Sequence, residues 1–531
     1  MRVTNNMITS TTKVNINRTK ELVDKRNTQM STQKKISVPS EDPVVAVRSL
    51  EFSSTLSQLN QYLNSNVEDA QSWLDITETS LTSLQKIVSD IRTQCTDGST
   101  GTLSATDRSS ILSNLQQLRD EIYSEGDAEY SGRTIFTGYK TNSTLTFKDD
   151  DSKTSYNITE PLSYQSIEDK NYYTGTFSSM SSLPSGSANT VNQVSASRIR
   201  LSYDKVNYNA TDSGIDISYK NGTDTINVKY NNGTSAFSAT KTDASGTTSS
   251  IALPTEFASM TFSTSTTSAL SAANYSVGTN AMVLNTDTGE LMLGTGVASA
   301  LKSDKASVGL TYDKTGFAKG DLKPENYFNC TNTTDAANPV NYKSYDSNGN
   351  RIYESIDYAV GNNQSLTVNT QAMDVYNSSI GRDVDELTDS VQSAIDAQKT
   401  VDSINSMMSS SEYSSTEDQA KLKEWLTSAN KQLDYANTNM QNLYGNKLTT
   451  FQGYQANINL AITTVGTKGE RLDLIKNRLE SQITTVTKLQ STNEDLNVSD
   501  VVIDYTAAYN AYNAALQAAS KVGKQTLLDY L

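Results

Sequence analysis

The sequence predicts an α+β protein in which long helical regions at both ends flank an all-β insert. Three observations carry this: the placement of glycine and proline, heptad-spaced apolar residues at each end, and strand–turn–strand patterns in the middle. The first 97 residues contain no glycine and only Pro39 and Pro43, no proline follows Pro339, and residues 382–444 lack glycine. In a helix interior glycine costs about 1 kcal/mol and proline about 3. Helices therefore belong at the ends, and turns in the centre.

Taken in order, the first segment is sparse. Val3, Met7, Val14, Leu22 and Met30 recur at one or two turns among polar neighbours. A stripe this thin cannot hold a lone helix, whose nucleation is costly, so ordering is expected on stacking against other copies. Residues 34–45 read KKISVPSEDPVV. Here Pro39 and Pro43 bias their preceding residues away from helix, and Ser40, Glu41 and Asp42 suit the start of a new one. An ordinary linker and a recapping hinge fit this composition equally.

The next segment is a strong seam. Leu56, Leu59, Leu63, Val67, Ala70, Leu74, Thr77, Leu81, Leu84, Val88, Ile91 and Cys95 step in threes and fours. Two successive fours at Leu59–Leu63–Val67 make one stutter in a heptad pattern. Cys95 lies on the seam and reads as a small buried apolar residue. Gly98 and Gly101 mark a turn, Ser104 and Asp107 form a capping box, and Ile111, Leu115, Leu118 and Ile122 continue the stripe.

In the centre, about 140–375, Ile215, Ile217 and Tyr219 alternate up to Lys220-Asn221-Gly222-Thr223, and Ile226, Val228 and Tyr230 alternate after it. That is a hairpin signal. Asn232-Gly233 and Asp287-Thr288-Gly289 mark further turns, and Arg198 to Tyr203 a further strand. Beyond it, Val384, Leu387, Val391 and Ile395 open one helix, and Leu472, Ile475, Leu479, Ile483 and Val486 line another. In the last helix Val502, Tyr505, Tyr509, Tyr512, Leu516 and Ala519 step 3-4-3-4-3. Tyrosines in a seam suit a half-buried interface.

The chemistry is notable for its gaps. There is no histidine in 531 residues, which removes the usual general base and the commonest zinc ligand. Cys95 and Cys330 have no metal or redox spacing. Carboxylate pairs or Ser–Lys chemistry remain open, so composition argues against an enzyme without forbidding one. Apolar residues make up 35% and the net charge is −15. An acidic chain argues against nucleic-acid and anionic-membrane partners, and no apolar run approaches the ~20 residues of a membrane span. The N-terminus lacks an apolar signal core, leaving cytoplasmic residence or export by another route. Asp346-Ser347-Asn348-Gly349-Asn350 is calcium-loop-like but has Arg351 where that loop needs glycine, and reads as a hairpin turn. Asp149-Asp150-Asp151 reads as a solvated turn, and the Asn-x-Ser/Thr sequons as chance.

Met-Arg-Val-x-x-Asn-Met at the start and Ser40-Glu41-Asp42-Pro43 resemble the N-terminal region of the flagellin and hook-associated protein superfamily. Gly132-Arg133-Thr134-Ile135-Phe136-Thr137-Gly138 is similar to the signature of the hook-associated protein 3 family, with Gly132, Arg133, Ile135, Phe136 and Gly138 matching and Thr134 replacing an aromatic. Glu494 to Val498 and Thr526 to Leu531 resemble the superfamily's C-terminus. Glu41-Asp42-Pro43-Val44-Val45 and Ile135-Phe136-Thr137-Gly138 depart from filament flagellins.

The resemblance implies a structural, non-enzymatic subunit at the junction of hook and filament, without cofactor or metal, exported through the flagellar type III apparatus to the cell exterior. It implies a ring of like subunits, hook-associated protein 1 on the hook side, flagellin on the filament side and an export chaperone before secretion. It also implies that the N- and C-terminal regions pair as an antiparallel coiled coil. Residues 1–43 and 493–531 would then form an inner assembly domain, 44–139 and 379–492 a helical middle domain, and 140–378 an outer β insert. Val3, Met7, Val14, Leu22, Met30, Val502, Tyr505, Tyr509, Tyr512, Leu516, Ala519, Leu527, Leu528 and Leu531 would carry assembly, with 39–43 as linker. A filament flagellin is the close alternative and a β-rich adhesin the distant one.

Overall fold

The structure, a computed structural model, describes all residues except 1–4, 101–102, 189, 210, 267–276, 347–348 and 523–531. Val3, Leu527, Leu528, Leu531 and Gly101 lie outside the described residues. The chain divides into two compact units. One is Met1–Gln71, Tyr358–Leu366 and Lys468–Leu531; the other is Ser72–Asp357 and Thr367–Thr467.

The first unit is helical apart from the hairpin within Tyr358–Leu366. It holds α1 (Asn5–Thr32) and α2 (Pro43–Gln61), and α2 runs into a π-helical turn, Tyr62–Val67. That turn falls on the Leu59–Leu63–Val67 stutter, where the extra residue is taken up locally. Asp42 caps α2 as the sequence suggests. Its carboxylate accepts from the N–H groups of Val44 and Val45, and Pro43 occupies the first turn, where no backbone donor is needed. The helix α3 (Glu68–Gly98) follows, and its seam from Ala70 to Cys95 is buried. The far C-terminal helices are α8 (Thr416–Glu494) and α9 (Val498–Val522). α8 is unbroken for 79 residues despite Gly445, Gly453, Gly466 and Gly469. Its apolar stripe, through Phe451, Ile458, Val465, Leu472 and Leu479, continues across them and stays buried.

The second unit joins helices to sheets. α3, α4 (Ala105–Gly126) and α7 (Ile380–Ser409) pack with the first part of α8. The Ser104–Asp107 capping box at α4 is fully formed. Two short helices, α5 (Thr295–Ser303) and α6 (Ala372–Val375), precede α7.

The strands, in chain order, are β1 (Glu129–Tyr130), β2 (Arg133–Thr134), β3 (Asp151–Ser163), β4 (Glu168–Thr174), β5 (Asn192–Arg200), β6 (Val206–Asn207), β7 (Gly214–Asn221), β8 (Asp224–Asn231) and β9 (Ala236–Thr242). They continue as β10 (Thr248–Ile251), β11 (Thr261–Ser265), β12 (Ala281–Asn285), β13 (Glu290–Leu293), β14 (Ser307–Phe317), β15 (Asn329–Asn332), β16 (Val340–Tyr342), β17 (Asp357–Gly361) and β18 (Gln364–Thr367). One nine-stranded sheet runs β10-β9-β8-β7-β14-β3-β15-β16, with β6 also on β14; a five-stranded sheet runs β11-β12-β13-β5-β4. Asn221 faces Asp224 across the Gly222 turn, and Asn285 faces Glu290 across the Asp287–Gly289 turn, as the sequence predicts. The strand read at Arg198–Tyr203 instead ends at Arg200, because the Ser202 N–H leaves the ladder to donate to the Glu160 carboxylate at 3.0 Å.

Candidate assembly surface

In the first unit α1 packs on α9. The faces that meet are only partly those expected. On α1, Ile16, Thr19, Val23, Arg26 and Met30 are half-buried and Gln29 is buried, whereas Met7, Val14 and Leu22 are exposed. On α9, Val501 and Ala508 are buried and Tyr505, Tyr512, Ala515 and Ala519 half-buried, stepping 4-3-4-3-4. Val502, Tyr509 and Leu516 stand one position away and are exposed. Two interleaved stripes therefore share Tyr505, Tyr512 and Ala519. One faces α1, and the other leaves Val502, Tyr509 and Leu516 in solvent beside Ile503, which is 67% exposed. The sequence reading merged them because both have heptad spacing.

The linker is pinned rather than loose. The Lys35 N–H donates to the Glu494 carbonyl at 2.7 Å and the Leu496 N–H to the Gln33 carbonyl at 2.9 Å, a two-strand clasp around Lys34 and Asp495. Lys34 Nζ lies 2.6 Å from Asp495 and 3.1 Å from Glu494. These hydrogen bonds raise the Lys34 pKa, and the Lys34 and Ser491 bonds lower that of Asp495. Beyond the clasp, the Ser37 N–H donates to Glu41 at 2.8 Å, which holds that carboxyl low. Pro39, Ser40, Glu41 and Pro43 are exposed and Asp42 half-buried.

The signature residues lie in the second unit. Ser131 and Gly132 both have positive φ, so they make the two-residue turn between β1 and β2 that glycine favours. Arg133 lies over the Trp73 ring, 5.6 Å from its centre, and Trp73 meets Tyr130 edge-on. Ile135 and Phe136 are buried, Phe136 edge-on to Tyr376 at 5.3 Å. Gly138 has φ +65°, and a Cβ there would strike the Glu354 carboxylate. Thr134, where the family has an aromatic, is buried with its hydroxyl bonded to the Ser143 carbonyl at 2.9 Å and to the Thr137 hydroxyl. The two threonines thus form one polar pair where a ring would stand.

Sequence reasoning missed a buried ionic network in the second unit. Arg198, on β5, is 1% exposed. It bonds Glu168 on β4 at 2.6 Å, Glu290 on β13 and Glu386 on α7. Arg200 pairs with Asp383 and with Glu386 at 3.2 Å, and Lys447 of α8 reaches Asp383 at 2.8 Å and Glu386 at 3.2 Å. Burial alone would push the Glu290 carboxyl up, but Lys170 and Arg198 outweigh it and hold it at about 2. Glu386 is likewise held well below the carboxylate range against its burial, by Arg198, Lys170, Arg200 and Lys447. Such a network fixes β strands to helices and performs no proton chemistry near neutral pH. Cys95 and Cys330 are both buried with thiols pushed up to about 12 by burial, which leaves them unreactive.

Residues 3–141 match the bacterial flagellin N-terminal helical region. Flagellar hook-associated protein 3 of Escherichia coli K12 is 32% identical over 126 residues, covering 24% of this chain and 39% of that protein. Over this stretch the chain is similar to flagellar hook-associated protein 3. The Salmonella typhimurium LT2 protein of that name is 32% identical over 114 residues, covering 21% of this chain and 36% of its own. The alignments thus span under two-fifths of these relatives. Among solved structures, flagellar hook-associated protein 3 from Legionella pneumophila aligns at 8% identity over 83% of this chain and 97% of its own, with a TM-score of 0.29.

Proposed function

We propose that this chain is a non-catalytic structural subunit of the bacterial flagellum, of the hook-associated protein 3 kind, placed between hook and filament. The observation that carries the reading is the terminal helix pair. α1, inside the flagellin-like region, packs on α9, and the pair still leaves Met7, Val14, Leu22, Val502, Tyr509 and Leu516 exposed. Apolar side chains in two heptad-spaced stripes on a thin pair favour burial against further copies.

In this reading residues 1–43 and 493–531 are the assembly segments, 44–139 and 379–492 the helical middle and 140–378 the outward insert. The clasp at residues 33–35 and 494–496 keeps the assembly helices in register. Neighbours are like subunits in a ring, hook-associated protein 1 and flagellin, after type III export with a chaperone.

Immuno-electron microscopy of isolated flagella tests this. A thin band at the junction is expected. Label along the whole filament would make the chain a flagellin, and label on the cell wall an adhesin. Removal of residues 500–531 is expected to leave the β insert folded and abolish incorporation; normal incorporation would refute the assembly role of α9.

A further inference from the structure

In the second unit a cleft of about 700 Å³ is lined on one side by six consecutive residues of β4, Glu168 to Tyr173. Alternate side chains of a strand point to opposite faces, so a cavity that touches six in a row runs along the strand's edge. β4 is the outer strand of the five-stranded sheet and pairs with β5 alone. Among the described residues, no other backbone group bonds Glu168–Thr174. The opposite wall is α8, whose Asn439, Asn442 and Asn446 share one face at steps of three and four. Their carboxamides have no hydrogen-bond partner among the described residues. The ionic network that forms the floor is balanced in charge, since Lys170, Arg198, Arg200 and Lys447 meet Glu168, Glu290, Asp383 and Glu386.

We infer that this cleft takes an extended, uncharged peptide segment rich in Ser, Thr, Asn and Val, which adds to β4 as a sixth strand. An unpaired strand edge supplies alternating N–H and C=O groups that only another extended backbone matches in spacing. The facing asparagines supply both donors and acceptors to its side chains. A floor without excess sign gives no advantage to a charged ligand, and Asp169 and Asp389 on the lining disfavour an acidic one. The seven residues of β4 correspond to a partner strand of about seven residues at ~3.4 Å each.

The test uses the purified full chain and an array of synthetic octapeptides alternating Val with Ser, Thr or Asn, beside matched peptides carrying Asp or Lys. The uncharged set is expected to bind and to slow amide exchange in residues 168–174 at least tenfold. N-methylation of alternate peptide amides in one phase is expected to abolish binding, and in the other phase to spare it. Asn442→Arg, at an exposed position of α8, is expected to weaken binding at least tenfold with an unchanged unfolding midpoint. Should that variant unfold, Asn446→Arg serves the same purpose. Absence of peptide binding, binding without protection of 168–174, indifference to N-methylation, or uptake of neutral oligosaccharides in place of peptides would each overturn the strand-addition site.

Discussion

Residues 72–357 and 367–467 hold charges in their interior, whereas residues 1–71 and 468–531 leave apolar side chains outside. In the first case Arg198 is enclosed by three glutamates, and four cations and four acids neutralise one another, their side chains all buried except those of Lys170 and Glu168. In the second, the α1–α9 pair buries Val501 and Ala508 and half-buries Tyr505 and Tyr512 while Ile503, Tyr509 and Leu516 face solvent. A buried charge network is complete only when every partner is present, so that unit carries its own requirements for a unique fold. Exposed apolar stripes are incomplete by the same reasoning, and the proposed assembly would complete them with further copies.

Breaking the network is expected to have the largest effect. Arg198→Ala takes one cation from each of Glu168, Glu290 and Glu386 in a buried network and is expected to cost about 3–5 kcal/mol. Trp73 and Trp425 are the only tryptophans of the chain and both lie in this unit, so tryptophan fluorescence in urea reads it alone. A loss under 1 kcal/mol would mean that the network is not what fixes the sheets to the helices.

Acid should act through the same groups. The folded pKa values of Glu290, Asp383 and Glu386 are depressed, so their contribution is present above the ordinary carboxylate value of 4.5 and is lost as pH falls towards about 2. Glu160 works against this, since burial raises its pKa and its protonation favours the fold in acid. The unit is expected to keep its fluorescence signal at pH 5 and to lose stability progressively between about pH 4 and 2. Stability that rises on acidification over that range would reverse the assignment.

Smaller effects sharpen the contrast. Gly445 and Gly453 sit inside α8 with open space where a Cβ would be. Alanine at each is expected to raise the unfolding free energy measured in urea by about 0.5–1 kcal/mol, and destabilisation would place a neighbour there. Smallest of all, Tyr509→Asp with Leu516→Asp is expected to leave monomer helicity unchanged and to shift monomer stability by no more than about 0.5 kcal/mol while preventing incorporation into flagella. A large loss of monomer stability would move these residues from an external surface to the internal one.

Much of this was readable in the sequence because it is local. The α3 seam, the stutter, the Ser104 capping box and the Asn221-Gly222 turn each depend on residues a few positions apart. The ionic network was not, since Glu168, Arg198, Glu290, Glu386 and Lys447 belong to three strands and two helices far apart in the chain. Alternation within β5 sets Arg198 and Arg200 opposite Ile199 and Leu201, which reads as a solvent face. A pair of arginines in an apolar strand, with Asp383-Val384-Asp385-Glu386 elsewhere, was the available signal. On α9 the spacing was read correctly but not its phase, because a tyrosine-rich helix offers two stripes with the same period.

The clasp between Lys34 and Asp495 closes a loop of 461 residues. For a flexible chain that closure costs about 5 kcal/mol in entropy, more than two backbone hydrogen bonds of ~1 kcal/mol each recover. The backbone clasp alone therefore does not bring the terminal helices together in an unfolded chain. They meet after the intervening residues have folded and shortened the distance, which makes helix pairing a late step of folding.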